Sequence, residues 1–404
     1  MTNKTAIAPD RKEEVKEKIQ GRISSLDFLK GLVMVIMALD HVRDYFHYDA
    51  FFNDPTDIQT TTIPLFFTRF ISHFCAPAFS LLAGLSAYLV GRRKSKSELS
   101  KFLFTRGLWL IFIEVTIVSF AWHFDPYFTR TGLMVIWSLG VSMLVLAGLI
   151  HLPIKVILTI SLLIIFGHNL LDGINIKDNF FWSILHQRNS HYIDDVHYVG
   201  AIYAFFPWVA VMALGYCFGP LYSKEFDQTR RKKWLNTIGL GSLAMFFILT
   251  LINGYGDPVK WVNSGLNTKT LFSFLNVSKY PASLRYLLLT LGGTFLFVAN
   301  TEKIKGKFVE FISVFGRVPF FYYILHLYLI HILALLAAEL TGFGWESMIL
   351  KAFVTMVDEL QGYGFSLPVV YLVWVTVILL LYPVCKKFDS YKQSHKEKWW
   401  LSYL

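Results

Sequence analysis

Five ionisable residues fall within eight positions, Asp40, His41, Arg43, Asp44 and His47, directly after the apolar run from Leu32 to Leu39. Charge at membrane depth is expensive, so such groups face protein or water rather than lipid and mark a site. Imidazole beside carboxylate is the composition of general-base catalysis, in which the carboxylate fixes the ring tautomer and stabilises the imidazolium that forms. Asp44, three residues beyond His41, is placed for that role. His47 shares a helical face with Asp40, Arg43 and Asp44, within an arc of about 100°, and is a second candidate base. Upstream, Lys30 lies within about 20° of His41 around the helix and about 16 Å from it along the axis. The same cluster is compatible with an internal salt-bridge belt. Asp40, His41, Asp44, His47 and His73 are zinc-type ligands, but their spacing matches no zinc motif and no metal is expected.

The elements that position these groups are membrane helices. The 404 residues are 54% hydrophobic and only 16% charged, with a mean hydropathy of +0.48, which excludes an ordinary soluble domain. Runs approaching 20 apolar residues recur near 28–46, 68–90, 103–121, 133–150, 153–171, 198–219, 235–252, 283–299, 318–338 and 367–384, predicting an all-α, polytopic bundle of about ten spans. Trp345 to Leu360 reads as an amphipathic helix at the interface. Residues 1–22 form a polar tail with no signal peptide core, 23–385 the transmembrane domain and 386–404 a basic tail. About 26 of the 38 Lys and Arg residues fall on one side of this arrangement, which makes that side, and both termini, cytoplasmic. The charge excess therefore needs no nucleic-acid partner; the expected partner is the bilayer. Cys75, Cys217 and Cys385 have no metal spacing and read as small core residues. Pro77 is expected to kink the second span, and Ala83, Ala87 and Gly91 to allow close helix contact. Glu114 is expected to pair with Arg106.

With that orientation, several remote residues reach the outer half of the membrane. Asp40 to His47 end the first span, Arg69 and His73 begin the second, and His123 ends the third. Arg285 opens the eighth, while Tyr322, Tyr323, His326 and His331 lie along the ninth. Their convergence at similar depth is the physical argument for a site. The long outer loops 47–64, 172–197, 253–281 and 339–366 are where a substrate mouth would be built.

RISSLDFLKG, followed by the apolar run and His41, resembles the opening span of transmembrane acyltransferases. Lys30 and His41 are similar to the Arg/Lys-to-His motif of the acyltransferase-3 family. LDHVRDYF, FTRFISHFCAPAFSLLAGLSAYLVGRR and FGRVPFFYYILHLYLIH together resemble the catalytic domain of heparan-α-glucosaminide N-acetyltransferase and its bacterial relatives, over roughly residues 22 to 385. The resemblance implies a multi-pass enzyme of the bacterial inner membrane that takes acetyl-CoA from the cytoplasm. It would deliver the acetyl group to a sugar or glycan acceptor outside, as an O- or N-acetyltransferase. Lys30, Arg92, Arg93, Arg106 and Arg317 are then the candidates for the CoA phosphates. His41, Asp44, His47 and His73 are the candidate catalytic residues, with Asp40, Arg43, Arg69, His123, Arg285, Tyr323 and His326 at the acceptor. Direct transfer and an acetyl-histidine intermediate both remain open, and a homodimer is compatible with the sequence. The competing reading is a secondary transporter whose intramembrane charges form a substrate path; related halves with paired broken helices, which would favour it, are not seen.

Overall fold

Apolar length and capping together set the helices of this chain, which is described from a computed structural model covering residues 24–265 and 267–402. The expected cytoplasmic tail 1–22 lies outside the described residues. Helix α1 (Ser24–Phe46) has Asp27 in its first turn and Arg43 in its last, the charge order the helix dipole favours. The second apolar stretch is two helices, α2 (Ile63–Ser72) and α3 (Cys75–Gly91). Pro77 accounts for the break. It lacks the N–H that would bond the carbonyl four residues back, and that carbonyl, on His73, instead accepts from the Tyr286 hydroxyl at 2.7 Å. A capping box between Ser95 and Glu98 opens α4 (Lys96–Ile113), which continues through a π-turn at Glu114–Val118 into α5 (Ser119–His123). Strand β1 (Arg130–Leu133) leads into α6 (Val135–Leu149), followed by α7 (Ile154–Gly167) and the short α8 (Phe180–Leu185).

Strands β2 (Asn189–Tyr192) and β3 (Tyr198–Ala201) complete a three-stranded sheet of order β1-β3-β2. The chain then forms α9 (Phe206–Phe218), α10 (Gln228–Ile252), α11 (Thr268–Leu275), α12 (Leu284–Thr301), α13 (Lys307–Arg317), α14 (Pro319–Leu340) and α15 (Leu367–Ser394). All ten expected apolar stretches contain helix. Among the described residues, seven helical segments are long and apolar enough to cross a membrane, two more are shorter, and α1 differs from them by its charges. The protein is an all-α polytopic bundle.

Several elements differ in detail from the apolar pattern. Residues 345–360 form three separate 3-10 turns rather than one interfacial helix. Contacts with the bundle pull them apart: the Leu350 N–H donates to His123 O and the Met348 carbonyl faces His331 Nε2, both at 2.8 Å. The stretch 198–219 begins as strand, because Tyr198–Ala201 pairs in parallel with β1. The basic segment after 385 starts as helix, since α15 runs on to Ser394.

Two close approaches hold the centre. A Cβ at Gly31 would sit 2.0 Å from Ile312 O, and one at Gly316 would sit 1.9 Å from Asp27 O, so α1 and α13 meet backbone to backbone. Helices α3 and α9 meet in the same way at Gly84 and Gly215. Of the small residues expected to allow close helix contact, Ala83 and Ala87 line a cavity instead, while Gly91 lies close against Leu99 on α4. Helix α12 is central, with 72% of its apolar window buried, against 22% for α7, α10 and α15; those three present apolar faces outward, as lipid-facing helices do. Gly31→Ala must push α1 off α13, at a cost of about 1–3 kcal/mol, whereas Gly148→Ala meets open space. Thermal unfolding in detergent is expected to show a lowered midpoint for the first and a nearly unchanged one for the second.

Candidate active site

The last two turns of α1 open onto a cavity of about 420 Å³. Its charged lining is organised by one carboxylate. Asp40 Oδ2 accepts from Arg69 Nη1 at 2.6 Å, and Asp40 Oδ1 lies 2.6 Å from Arg43 Nη1. Arg43 also donates to Asp44 at 2.6 Å. Two guanidiniums and two carboxylates thus neutralise one another, the condition for keeping ions away from bulk water. Arg69 reaches Asp40 because α2 ends at Ser72, whose hydroxyl takes a second bond from the same nitrogen at 3.2 Å.

This network occupies Asp44, which therefore does not orient His41 as expected. The partner comes from the other end of the chain. His326, on α14, has its Nδ1 3.0 Å from the Tyr322 carbonyl. A carbonyl only accepts, so this nitrogen carries the proton and Nε2 is the acceptor. His41 Nδ1 lies 2.8 Å from that Nε2 and must donate to it. The remaining nitrogen of His41, Nε2, then carries a lone pair on a ring that lines the cavity. The ring is seated edge-on against Trp122, with centroids 4.8 Å apart. The His326 imidazole thus fixes the tautomer of His41, as a carboxylate fixes that of a neighbouring histidine in a catalytic triad.

A second cavity, of about 230 Å³, lies toward the start of α1. It is lined almost wholly by apolar side chains, with Lys30 and Arg106 as its cations. Lys30 Nζ donates to Ser86 Oγ at 3.3 Å. The two cavities share Met37, Phe79, Val135 and Tyr323 among their lining residues. Lys30 and His41 therefore border adjoining hollows along one helix.

The other candidates divide. His47 lines the first cavity beside Tyr48, centroids 4.8 Å apart, and burial pushes its imidazole below the usual range. Tyr323 lines both cavities. His73 lines neither; its Nδ1 faces the Arg69 and Phe70 carbonyls at 3.1 Å, so it closes the end of α2 and is withdrawn as a catalytic candidate. His123 stands behind the site, bonding the Ser119 carbonyl at 2.8 Å and reaching Arg130 Nη1 at 3.4 Å. Arg285 is held by the Val259 carbonyl and lies near Asp257 in the loop after α10, outside both cavities. Arg92 pairs with Glu225 at 3.5 Å and Arg317 with Asp389 at 2.6 Å. These two and Arg93 line neither cavity, so Lys30 and Arg106 are the expected cofactor-binding cations that do. Glu114 accepts from the Trp137 N–H at 2.8 Å, capping the start of α6 instead of pairing with Arg106. Among the described residues, no group of three His, Cys, Asp or Glu side chains could hold a metal ion. Trp122, Arg130, Arg188, Tyr203, Lys279 and Tyr280 also line the first cavity. None was singled out from sequence. Arg188, Lys279 and Tyr280 lie in the long loops 172–197 and 253–281, which the sequence marked as a mouth; nothing in the sequence pointed to Trp122, Arg130 or Tyr203.

Residues 22–251, that is 230 of 404, match the family model described as heparan-alpha-glucosaminide N-acetyltransferase, catalytic. The chain belongs to this family. No curated protein matches it. It is accordingly an integral, multi-pass membrane acetyltransferase. The match contains α1 and the broken second span, whereas His326 and Lys279 lie beyond it. Removing Arg69 would leave Asp40 with half of its compensation. Arg69→Ala is expected to lower stability by about 3–5 kcal/mol. Arg92→Ala, at an exposed pair, should change it by less than about 1 kcal/mol. Denaturant unfolding in detergent micelles measures both.

Proposed function

We propose that the protein transfers an acetyl group from cytoplasmic acetyl-CoA to a sugar or glycan hydroxyl or amine on the outer side of the bacterial inner membrane, with His41 as general base. The observation that carries this reading is the His41–His326 pair beside two adjoining cavities. The apolar second cavity suits a pantetheine arm, and Lys30 and Arg106 suit the CoA phosphates. The larger, polar first cavity suits a hydrophilic acceptor.

In this reading His41 Nε2 takes the proton from the acceptor as its oxygen or nitrogen attacks the thioester carbonyl. Tyr323, bordering both cavities, donates to the developing oxyanion. The carbon–sulfur bond then breaks, and the CoA thiolate leaves and collects the proton from the His41 imidazolium. His326 keeps His41 in the tautomer that makes this possible. Transfer through an acetyl-His41 intermediate uses the same lone pair.

His41→Ala is expected to lower CoA thiol release by a factor of about 10² to 10⁴, while CoA still binds. Release by the wild type should rise with pH as His41 loses its proton and then level off. In His326→Phe the rate should drop and in His326→Gln recover in part, because the amide oxygen can accept from His41 Nδ1. Full activity in His41→Ala would sink the assignment. The second cavity has its own test. Ala83→Phe fills the space beside Lys30 and should raise the KM for acetyl-CoA tenfold or more without changing the acceptor KM. Steady-state thiol release with each substrate varied separates the two.

A further inference from the structure

Arg43 and Arg69 are neutralised by Asp40 and Asp44, but three more cations line the same cavity: Arg130, Arg188 and Lys279. Lys279 is 9% exposed and Arg130 5%, and no carboxylate stands within ion-pairing distance of any of the three among the described residues. Their partners are rings. Lys279 Nζ sits 5.2 Å from the Tyr280 centroid, and the Arg188 guanidinium is 5.6 Å from the same ring. The Arg130 guanidinium lies 5.2 Å from Phe353, with the neutral acceptor nitrogen of His123 behind it. Asp49 and Asp54 also line the cavity; Asp54 is engaged by the N–H and hydroxyl of Thr56, and Asp49 pairs with none of the three.

A buried cation is stable only with compensation. Cation–ring contacts supply about 0.5–2 kcal/mol each, far less than a paired anion. The surroundings register the excess positive charge: burial pushes the Tyr280 phenol up, but Lys279 and Arg69 outweigh it and hold it below its ordinary range. We infer that Lys279, Arg188 and Arg130 form an anion subsite in the acceptor cavity, so that the acceptor carries a phosphate or carboxylate besides its acetylated group. This rests on the acetyl-transfer reading. Such a subsite adds specificity, since a neutral sugar would leave the cations uncompensated. It also orients the acceptor by two points, one at the subsite and one at His41.

The test is binding without acetyl-CoA, by titration calorimetry on the full-length protein in detergent, using glucosamine, glucosamine 6-phosphate and glucuronic acid. At least one anionic sugar should bind tenfold or more tighter than glucosamine, and the better arm identifies phosphate or carboxylate as the group. The preference should fall within twofold in the Lys279→Met/Arg188→Ala double variant and persist in Lys279→Arg. Arg188→Ala alone, at an exposed position, should reduce it at least threefold. Equal binding of charged and neutral sugars, or an undiminished preference in the double variant, overturns the subsite. So does a matching loss of acetyl-CoA affinity, which would assign the cations to the donor phosphates. Thiol release by the wild type is measured separately. Its absence alongside an intact anion preference would remove the transfer reading and leave the anion site standing.

Discussion

Everything at the site depends on Asp40 holding two guanidiniums at once. One comes from its own helix three residues on, the other from a separate helix 29 positions away. Neither arginine could stay inside the bundle unpaired, and the carboxylate could not stay without them. The pairing therefore fixes where α2 stands relative to α1, and the break in the second span lets α2 reach that position. With Asp40, Arg43 and Asp44 committed to one another, the adjacent face of α1 is left to His41. The ion network works as a frame, and the imidazole beside it is left out of the ion pairing.

The two cavities differ in polarity. One is nearly all hydrocarbon, with cations at Lys30 and Arg106; the other is lined by both signs of charge and by phenols. Helix α1 borders both, and its close seating on α13 through Gly31 and Gly316 makes it a rigid element. A reacting group carried on such an element is held better than one on a loop. The loops around the larger cavity add Arg188, Lys279 and Tyr280 to its lining.

Much of the helical architecture was readable from the chain, because length and hydropathy constrain a membrane segment strongly. The break near Pro77 was readable too, since a missing N–H has a definite consequence one turn back. What could not be read were partners separated by hundreds of positions. His41 and His326 are 285 residues apart, and a nearby Asp44 looked the better orienter until Arg43 was seen to occupy it. Arg92, Arg93 and Arg317 had the right charge and stood near the right end of the bundle, but Glu225 and Asp389, which pair with two of them, are placed by tertiary contacts. Lys279 was missed for the opposite reason: in a polar loop a lysine looks solvated, and only the packing of Tyr203 and Tyr280 around it shows otherwise. The 3-10 turns at 345–360 share an amphipathic pattern with a helix, and contacts with His123 and His331 decided between them.

The four residues common to both cavities have a consequence for the membrane itself. A protein hollowed from one end to the other would let ions leak and dissipate the gradients across the bilayer. Here a thioether, two hydrocarbon side chains and a phenol, on Met37, Phe79, Val135 and Tyr323, stand where the hollows meet. A constriction of that character discourages water from forming a continuous file, while a slender, uncharged chain could still thread it. The fold thus sets two hollows side by side with an uncharged seam between them.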